Sequence, residues 1–163
     1  MIWKLLPERS RVGVQARATL HTVTAGGRAL QAGTIAFDPD DLVGTLRLDL
    51  AVRISDIRSG DALLDGKAQD HVDSRRYAVA RYRLERARGS ETALALEGVV
   101  DWRDQQVPIR TLAQVDRSAT EIRGRTRFEL DLSRFGLVAP RLLFLKVADV
   151  VTVDVEIVAA SSG

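Results

Sequence analysis

One stretch of the chain alternates apolar and charged residues without a break: Ile122-Arg123-Gly124-Arg125-Thr126-Arg127-Phe128-Glu129-Leu130-Asp131-Leu132. Its odd-numbered positions carry only arginine, glutamate or aspartate, whereas four of its even-numbered positions are large and apolar. Successive side chains of a β-strand point to opposite faces of a sheet. The period of two therefore predicts a strand with one face in the core and the other in water.

The same alternation, in places weaker, predicts seven further strands, over 12–20, 35–37, 42–53, 80–85, 94–102, 107–115 and 151–157. Two longer breaks separate them. The segment 61–72 is predicted to be a helix, with Asp61 as its N-cap and with Leu64, Ala68 and Val72 on one face. A second, shorter turn of helix is expected within 139–147, after Pro140. The sequence thus predicts an all-β fold with a short helical insertion.

Length and composition predict one domain, over residues 1–158, followed by a frayed C-terminal tail at 159–163. The absence of cysteine excludes disulfides, thiolate catalysis and cysteine-ligated metals. No apolar run approaches the roughly 20 residues of a membrane-spanning helix, so no integral membrane segment is expected. Aromatic residues make up only 5% of the chain, which argues against a nucleic-acid partner that is bound by base stacking.

Arginine dominates the basic residues, since only Lys4, Lys67 and Lys146 among the 24 are lysine. The arginines are interleaved with aspartate and glutamate, and the formal net charge is +2. This pattern indicates a solvated outer face more than an anion-binding site. The first residues do not have the pattern of a secretory signal, which predicts a cytoplasmic protein, or a periplasmic one if a signal has been removed.

Candidate catalytic residues are few. His71 lies between Asp70 and Asp73, so a small hydrolase in which His71 is the base is one hypothesis. Sequence adjacency is its only support, and the other histidine, His21, lies in a different segment. Gly26 and Gly27 predict a hairpin turn and not a phosphate-binding loop. We therefore predict no catalytic residues, no metal site and no cofactor.

Eight antiparallel strands must protect their edges, either as a closed barrel or as two packed sheets, and the alternation alone does not decide between these architectures. Small residues such as Gly98 and Gly124 occur on the apolar faces of the predicted strands. They either leave space for a ligand inside a barrel or mark bends in the strands. Both interpretations remain open from the residues alone.

Several motifs, in order along the chain, resemble those of one known family. They are Trp3 with Ser10 and Val12; Gly33-Thr34-Ile35-Ala36-Phe37-Asp38-Pro39; Ser55-Asp56-Ile57-Arg58-Ser59-Gly60; Asp70-His71-Val72-Asp73 before Tyr77; Gly98 with Val107-Pro108; Ser133-Arg134-Phe135-Gly136-Leu137; and Val147-Ala148-Asp149. The chain resembles the YceI-like proteins, which are lipocalin-like barrels associated with polyisoprenoid binding. It departs from the family pattern at Arg9, Ala78 and Asp104, where histidine, proline and glycine are usual.

The resemblance implies an eight-stranded antiparallel lipocalin-like barrel that holds a long-chain isoprenoid or quinone-like lipid as its ligand. The implied function is a non-enzymatic carrier or sequestering protein. A homodimer is a further expectation. The alternative is a barrel filled by its own side chains that binds a protein partner through its arginine-rich surface. No ligand contact carries over from the family, so the candidate ligand-binding residues come from the inward apolar faces, with Arg134 expected at the cavity mouth: Val14, Ala16, Phe37, Leu46, Leu48, Leu50, Tyr82, Leu96, Val100, Phe128, Leu130, Arg134 and Phe135.

Overall fold

The structure is a computed structural model that describes residues 1–138, 141–142 and 145–161. Its strands are β1 (Ile2–Leu5), β2 (Arg11–Ala18), β3 (Thr22–Gly27), β4 (Leu30–Ala36), β5 (Arg47–Arg53), β6 (Val79–Gly89), β7 (Ala93–Trp102), β8 (Gln105–Arg117), β9 (Glu121–Asp131), β10 (Arg141–Leu142) and β11 (Leu145–Ser161). The helices are α1 (Leu42–Thr45) and α2 (Ala62–Val72), and single 3₁₀ turns occupy Pro7–Arg9, Ile54–Asp56 and Leu132–Phe135.

The strands form a closed eight-stranded antiparallel barrel. From β4 through β9 each strand pairs with the next one along the chain, and β9 pairs with β11. The short strand β1 closes the ring because it pairs with β4 on one side and with the end of β11 on the other. β2 pairs with the earlier part of β11, and β3 pairs with β2. The predicted all-β barrel with a helical insertion is confirmed.

The two ends of the barrel differ. At one end β2, β5, β7 and β9 finish and α2 lies against β2, β3 and the start of β11 through Leu64 and Val147; we call it the α2 end. A second apolar cluster there contains Trp102, Phe135 and Leu137. A larger cluster runs through the barrel to the opposite end, where the rings of Trp3 and Phe37 stack with centroids 5.0 Å apart.

The predicted helix is confirmed at α2, and its ends have clear causes. The Asp61 carboxylate accepts hydrogen bonds from the amides of Leu63 and Leu64, both 3.1 Å long, and so caps the first turn. At the other end Asp73 adopts a left-handed backbone with φ of 52°, which stops the helix. Leu64, Ala68 and Val72 all face the inside of the barrel, as their spacing predicts.

The strand predicted over 42–53 is wrong in its first part. Residues Leu42–Thr45 form α1, because the Asp41 carboxylate accepts a hydrogen bond from the Gly44 amide and caps the turn. A side chain at Gly44 would place its Cβ 2.4 Å from that carboxylate, so glycine permits the cap. The strand begins only at Arg47. Local capping thus outweighs the alternation of apolar residues.

Three further expectations change. β3 does not form a hairpin with β4; Gly26 instead makes an isolated bridge with Arg58, and a Cβ on Gly27 would lie 2.1 Å from the Asp56 carbonyl oxygen. Residues 159–161, expected in a frayed tail, end β11, and Ala159 is fully buried. The turn of helix expected within 139–147 is a strand in its described part, while 139–140 and 143–144 lie outside the described residues.

Candidate ligand-binding cavity

The barrel encloses a cavity of about 380 Å³. Its wall receives side chains from most of the barrel strands and from α2, and these are mainly leucine, valine, isoleucine and phenylalanine. A cavity of this size lies within the range of small-molecule sites, roughly 300–1,000 Å³. The barrel is therefore not filled by its own side chains.

Several inward-facing residues keep accessible surface although they point away from bulk water. Val14, Leu48, Phe128 and Leu130 are only half-buried, and all four line the cavity. A core side chain in contact on every side would be fully buried. Their remaining surface therefore faces open space inside the barrel, where the tail of a ligand could replace it.

Two inward glycines play different parts in shaping this space. A Cβ built on Gly124 of β9 would have nothing within 4 Å, so this glycine leaves room in the cavity. A Cβ on Gly98 of β7 would lie 2.4 Å from the Tyr82 hydroxyl, so that glycine makes room for the Tyr82 ring. The sequence could not separate these two roles, because both glycines occupy inward positions of alternating strands.

A comparison with known families decides the classification of this barrel. The family model of the YceI-like domain matches residues 3–159. The chain belongs to the YceI-like domain family. The resemblance seen in the sequence motifs is thereby confirmed. No curated protein matches the chain significantly.

Solved structures agree with this YceI-like fold. The chain is similar to a polyisoprenoid-binding domain from Saccharophagus degradans, implicated in plant cell wall breakdown, with 18% identity, 98% of each chain covered and a TM-score of 0.81. It is also similar to BcnA from Burkholderia cenocepacia, with 13% identity, coverage of 94% of this chain and 98% of that one, and a TM-score of 0.82. A Campylobacter jejuni YceI protein shares 14% identity, with coverage of 89% and 88% and a TM-score of 0.72.

Most of the residues expected to bind a ligand lie together in the cavity wall of this YceI-like domain. Ten of the thirteen line it: Val14, Leu46, Leu48, Leu50, Tyr82, Leu96, Val100, Phe128, Leu130 and Phe135. The wall also contains residues that the sequence interpretation did not select, including Val155 and Ile157 of β11 and Leu64 of α2. Two features of the sequence indicated these residues: the alternation of apolar and polar residues in β11, and the spacing of apolar residues along one face of α2. A role in ligand binding remains a prediction for all of them.

Three of the expected residues lie elsewhere. Phe37 follows the end of β4 and is buried against Trp3, with the Arg117 guanidinium 5.5 Å from its ring centroid. Ala16 packs beside Leu64 and Val147, outside the cavity wall. Arg134 is exposed on the 3₁₀ turn Leu132–Phe135, which directs Phe135 inward and Arg134 outward. Arg134 is not among the residues of the cavity wall, and a role for it at the cavity mouth stays a prediction.

Tyr82 brings a polar atom into this apolar wall. Its hydroxyl is buried and has no hydrogen-bond partner among the described residues. Burial, with a smaller contribution from the charge of Glu85, raises the pKa of Tyr82 to about 12. The phenol is therefore neutral at physiological pH, and the cavity gains no charge from it.

Polar groups also meet the cavity beside α2. Asp65 is buried and accepts hydrogen bonds from the Ser59 amide and hydroxyl, at 2.8 and 2.7 Å, and from the Gly60 amide at 3.2 Å. Burial raises the pKa of Asp65, but these hydrogen bonds and the Arg58 charge outweigh burial and hold the pKa below 3.8. Gln69 donates to the carbonyls of Ile54 and Ile57. These groups fasten α2 to the barrel.

The residues of the hydrolase hypothesis do not lie at the cavity. Asp70, His71 and Asp73 are absent from the cavity wall, and the His71 Nε2 lies 2.9 Å from the Val138 carbonyl oxygen. Over the described residues, no group of three or more histidine, aspartate or glutamate side chains could hold a metal ion. In the same part of the chain no helix is long and apolar enough to cross a membrane.

Proposed function

We propose that this YceI-like domain binds the apolar tail of an isoprenoid or similar amphiphilic lipid inside its barrel, as a non-enzymatic carrier or sequestering protein. The observation that carries the proposal is the enclosed cavity of about 380 Å³ with an almost wholly apolar wall. The description of the Saccharophagus degradans relative as a polyisoprenoid-binding domain supports the same ligand class.

The cavity volume suggests how much of a tail fits inside. A 150 Å³ apolar cavity holds benzene, which corresponds to about 25 Å³ for each carbon, so the present cavity would take about 15 carbons. Three isoprene units contain that number. A longer polyprenyl tail would extend beyond the space enclosed here.

The energy of binding would come from transfer of the tail out of water. At about 0.8 kcal/mol for each CH₂, 15 carbons correspond to a gross gain of about 12 kcal/mol. Association costs roughly 4–15 kcal/mol in lost translational and rotational freedom. The transfer gain exceeds this cost over most of that range, so a tail of 15 carbons can bind without any charged contact.

The interaction-scaffold alternative has less support. Its first premise, a barrel filled by side chains, does not hold, because a cavity of about 380 Å³ remains unfilled inside the barrel. Several outward arginines are paired across strands: Arg123 and Arg125 with Glu156, and Arg127 with Asp154. The arginine-rich outer face therefore neutralises much of its own charge.

A series of prenols with 5, 10, 15, 20 and 55 carbons tests the proposal through displacement of a fluorescent apolar probe. Affinity should rise by about 15-fold for every two carbons, the equivalent of about 0.8 kcal/mol for each one, and should level off near 15 carbons. An affinity independent of tail length, or no displacement at all, would refute it. Leu48→Trp, which places a large ring in the cavity, should lower affinity while thermal unfolding stays close to wild type.

A further inference from the structure

Large apolar side chains are exposed mainly at the α2 end of the barrel. Leu20 is 86% exposed in the turn between β2 and β3, Leu63 is 61% exposed on α2, and Val138 is 78% exposed after the last 3₁₀ turn. Val79, the first residue of β6, and Val150, which is in register with the last residue of β9, are exposed at the same end. Exposed large apolar residues that share one end of a protein indicate an interaction surface.

Direct contacts join the three segments that carry Leu20, Leu63 and Val138. Leu64, the neighbour of Leu63, packs with Val147 in a cluster that includes Ala18 and Val23 on either side of the β2–β3 turn. The Thr19 hydroxyl accepts a hydrogen bond from the Lys146 amide at 3.0 Å. His71 of α2 lies 2.9 Å from the Val138 carbonyl oxygen. We call this surface, formed by Leu20, Leu63 and Val138 with the cations beside them, the α2 face.

The cations of this surface are available to a partner. Lys67, Lys146 and Arg17 are exposed, and none forms an ion pair among the described residues. Of the nearby acids, Asp61 is engaged in capping α2 and Asp65 is buried in hydrogen bonds, while Asp70, Asp73 and Asp149 are exposed. Arg75 and Arg76 are exposed directly after α2, so exposed cations outnumber exposed acids here.

The opposite end of the barrel has a different charge. Its β4–β5 connection carries Asp38, Asp40 and Asp41, all exposed and none in an ion pair among the described residues, whereas Glu91 is paired with Arg117. An anionic surface would therefore meet unpaired cations at the α2 face and unpaired aspartates at the β4–β5 connection. Apolar side chains surrounded by lysine and arginine suit the interface of an anionic bilayer, where the apolar groups enter the headgroup region and the cations remain beside the phosphates.

We propose that the α2 face docks on the surface of an anionic lipid bilayer. This inference rests on the proposed function, because docking there would bring α2 to the lipids. The inner side of the same helix lines the cavity through Leu64, Ala68 and Val72. When the α2 face is docked, a single helix therefore separates the cavity from an amphiphile in the bilayer.

Sedimentation of the protein with sucrose-loaded vesicles tests this proposal. Vesicles of equal parts phosphatidylglycerol and phosphatidylcholine should bind wild type, and binding should fall as salt increases, since the Debye length shortens from about 10 Å at 0.1 M to about 3 Å at 1 M. Pure phosphatidylcholine vesicles should bind much less. Leu20→Asp combined with Leu63→Asp should lower the partition coefficient for anionic vesicles by about 100-fold, because each leucine contributes roughly tenfold or more when buried.

Leu112→Asp is the matched control, since Leu112 is 76% exposed on the side of the barrel, away from the α2 face. It should leave vesicle binding unchanged. Equal losses in the control and the double variant, or no binding of wild type to anionic vesicles, would overturn the proposal. A dimer in solution that the double variant dissociates would also overturn it, because a second copy would then occupy the face.

A separate measurement distinguishes failure of docking from failure of the proposed function. A 15-carbon prenol added from ethanol without vesicles should occupy the double variant as well as wild type, because neither substituted leucine lines the cavity. Loss of vesicle binding with normal prenol uptake is the expected result for the double variant. If wild type binds vesicles but takes up no prenol, the proposed function is refuted, whereas the proposal that the α2 face docks on a bilayer is not affected.

Discussion

Replacement of Gly124 by leucine would fill the cavity from a position where the fold leaves room. Gly124 lies in β9, in register with Val115 and Ile157, and both of these neighbours line the cavity. A Cβ on Gly124 meets no atom within 4 Å, and its backbone is not in the left-handed region. Leucine should therefore project into open space without strain.

The size of the effect follows from the volume that leucine takes. Its four side-chain carbons occupy about 100 Å³ at the density of benzene in an apolar cavity. That is about a quarter of the 380 Å³ present. A tail displaced by four carbons loses about 3 kcal/mol of transfer free energy, which corresponds to about 200-fold weaker binding. The free energy of unfolding should stay the same or rise, because the new side chain is buried without overpacking.

Gly66→Leu is the matched control, because Gly66 is exposed on α2 and a Cβ there also meets nothing within 4 Å. Prenol affinity should be measured by titration calorimetry or probe displacement for wild type and both variants, and urea denaturation should establish that each is folded. Unchanged affinity in folded Gly124→Leu, or an equal loss in Gly66→Leu, would refute binding inside the barrel.

Other substitutions test how the fold supports the cavity. The Arg103 guanidinium donates to the carbonyls of Val72 and Phe135, and so ties α2 and the last 3₁₀ turn to the β7–β8 hairpin. Arg103→Asn should lower the free energy of unfolding by about 2 kcal/mol in urea denaturation, since asparagine tolerates the left-handed backbone at φ of 53°; an unchanged midpoint would contradict this. Because the pKa of Asp65 is lowered in the folded state, its stabilising contribution is present above pH 3.8 and is lost as pH falls through the folded value. Asp65→Asn should therefore have a lower free energy of unfolding at pH 7 and lose less of it between pH 5 and 3. Parallel curves of unfolding free energy against pH for wild type and variant would exclude the Asp65 carboxylate as the source of this pH dependence. Tyr82→Phe removes an unpaired buried hydroxyl, so stability at pH 7 should hold or rise by about 1 kcal/mol. Since the pKa of Tyr82 is raised to about 12, wild type should lose stability between pH 10 and 12 and the variant should lose less; a large loss in Tyr82→Phe at pH 7 would reveal a missing partner for the hydroxyl.

The strands were predictable because their alternation is long. β9 has eleven residues, and each would reach the wrong face if the register slipped by one, so the pattern determines which side is inward. The inward residues of β5, among them Leu48 and Leu50, follow from the same rule and line the cavity. Short elements were harder to predict. α1 depends on one cap from Asp41, which competes with an equally regular alternation of leucines.

The interior of the barrel was predictable only as a direction of side chains. Alternation shows that Gly98 and Gly124 both face inward, but only the structure shows that Tyr82 lies over one and open space over the other. Phe37 was expected in the cavity, yet it leaves the end of β4 to stack on Trp3, a partner more than thirty residues away in sequence. Such long-range packing is invisible to a local pattern.

Native mass spectrometry of the protein incubated with a 15-carbon prenol would show most directly whether the barrel holds a lipid tail. We expect one prenol per chain in wild type, with occupancy reduced in Gly124→Leu and retained in Gly66→Leu. An apo mass at every prenol concentration, or occupancy that both variants retain equally, would contradict lipid binding in the cavity.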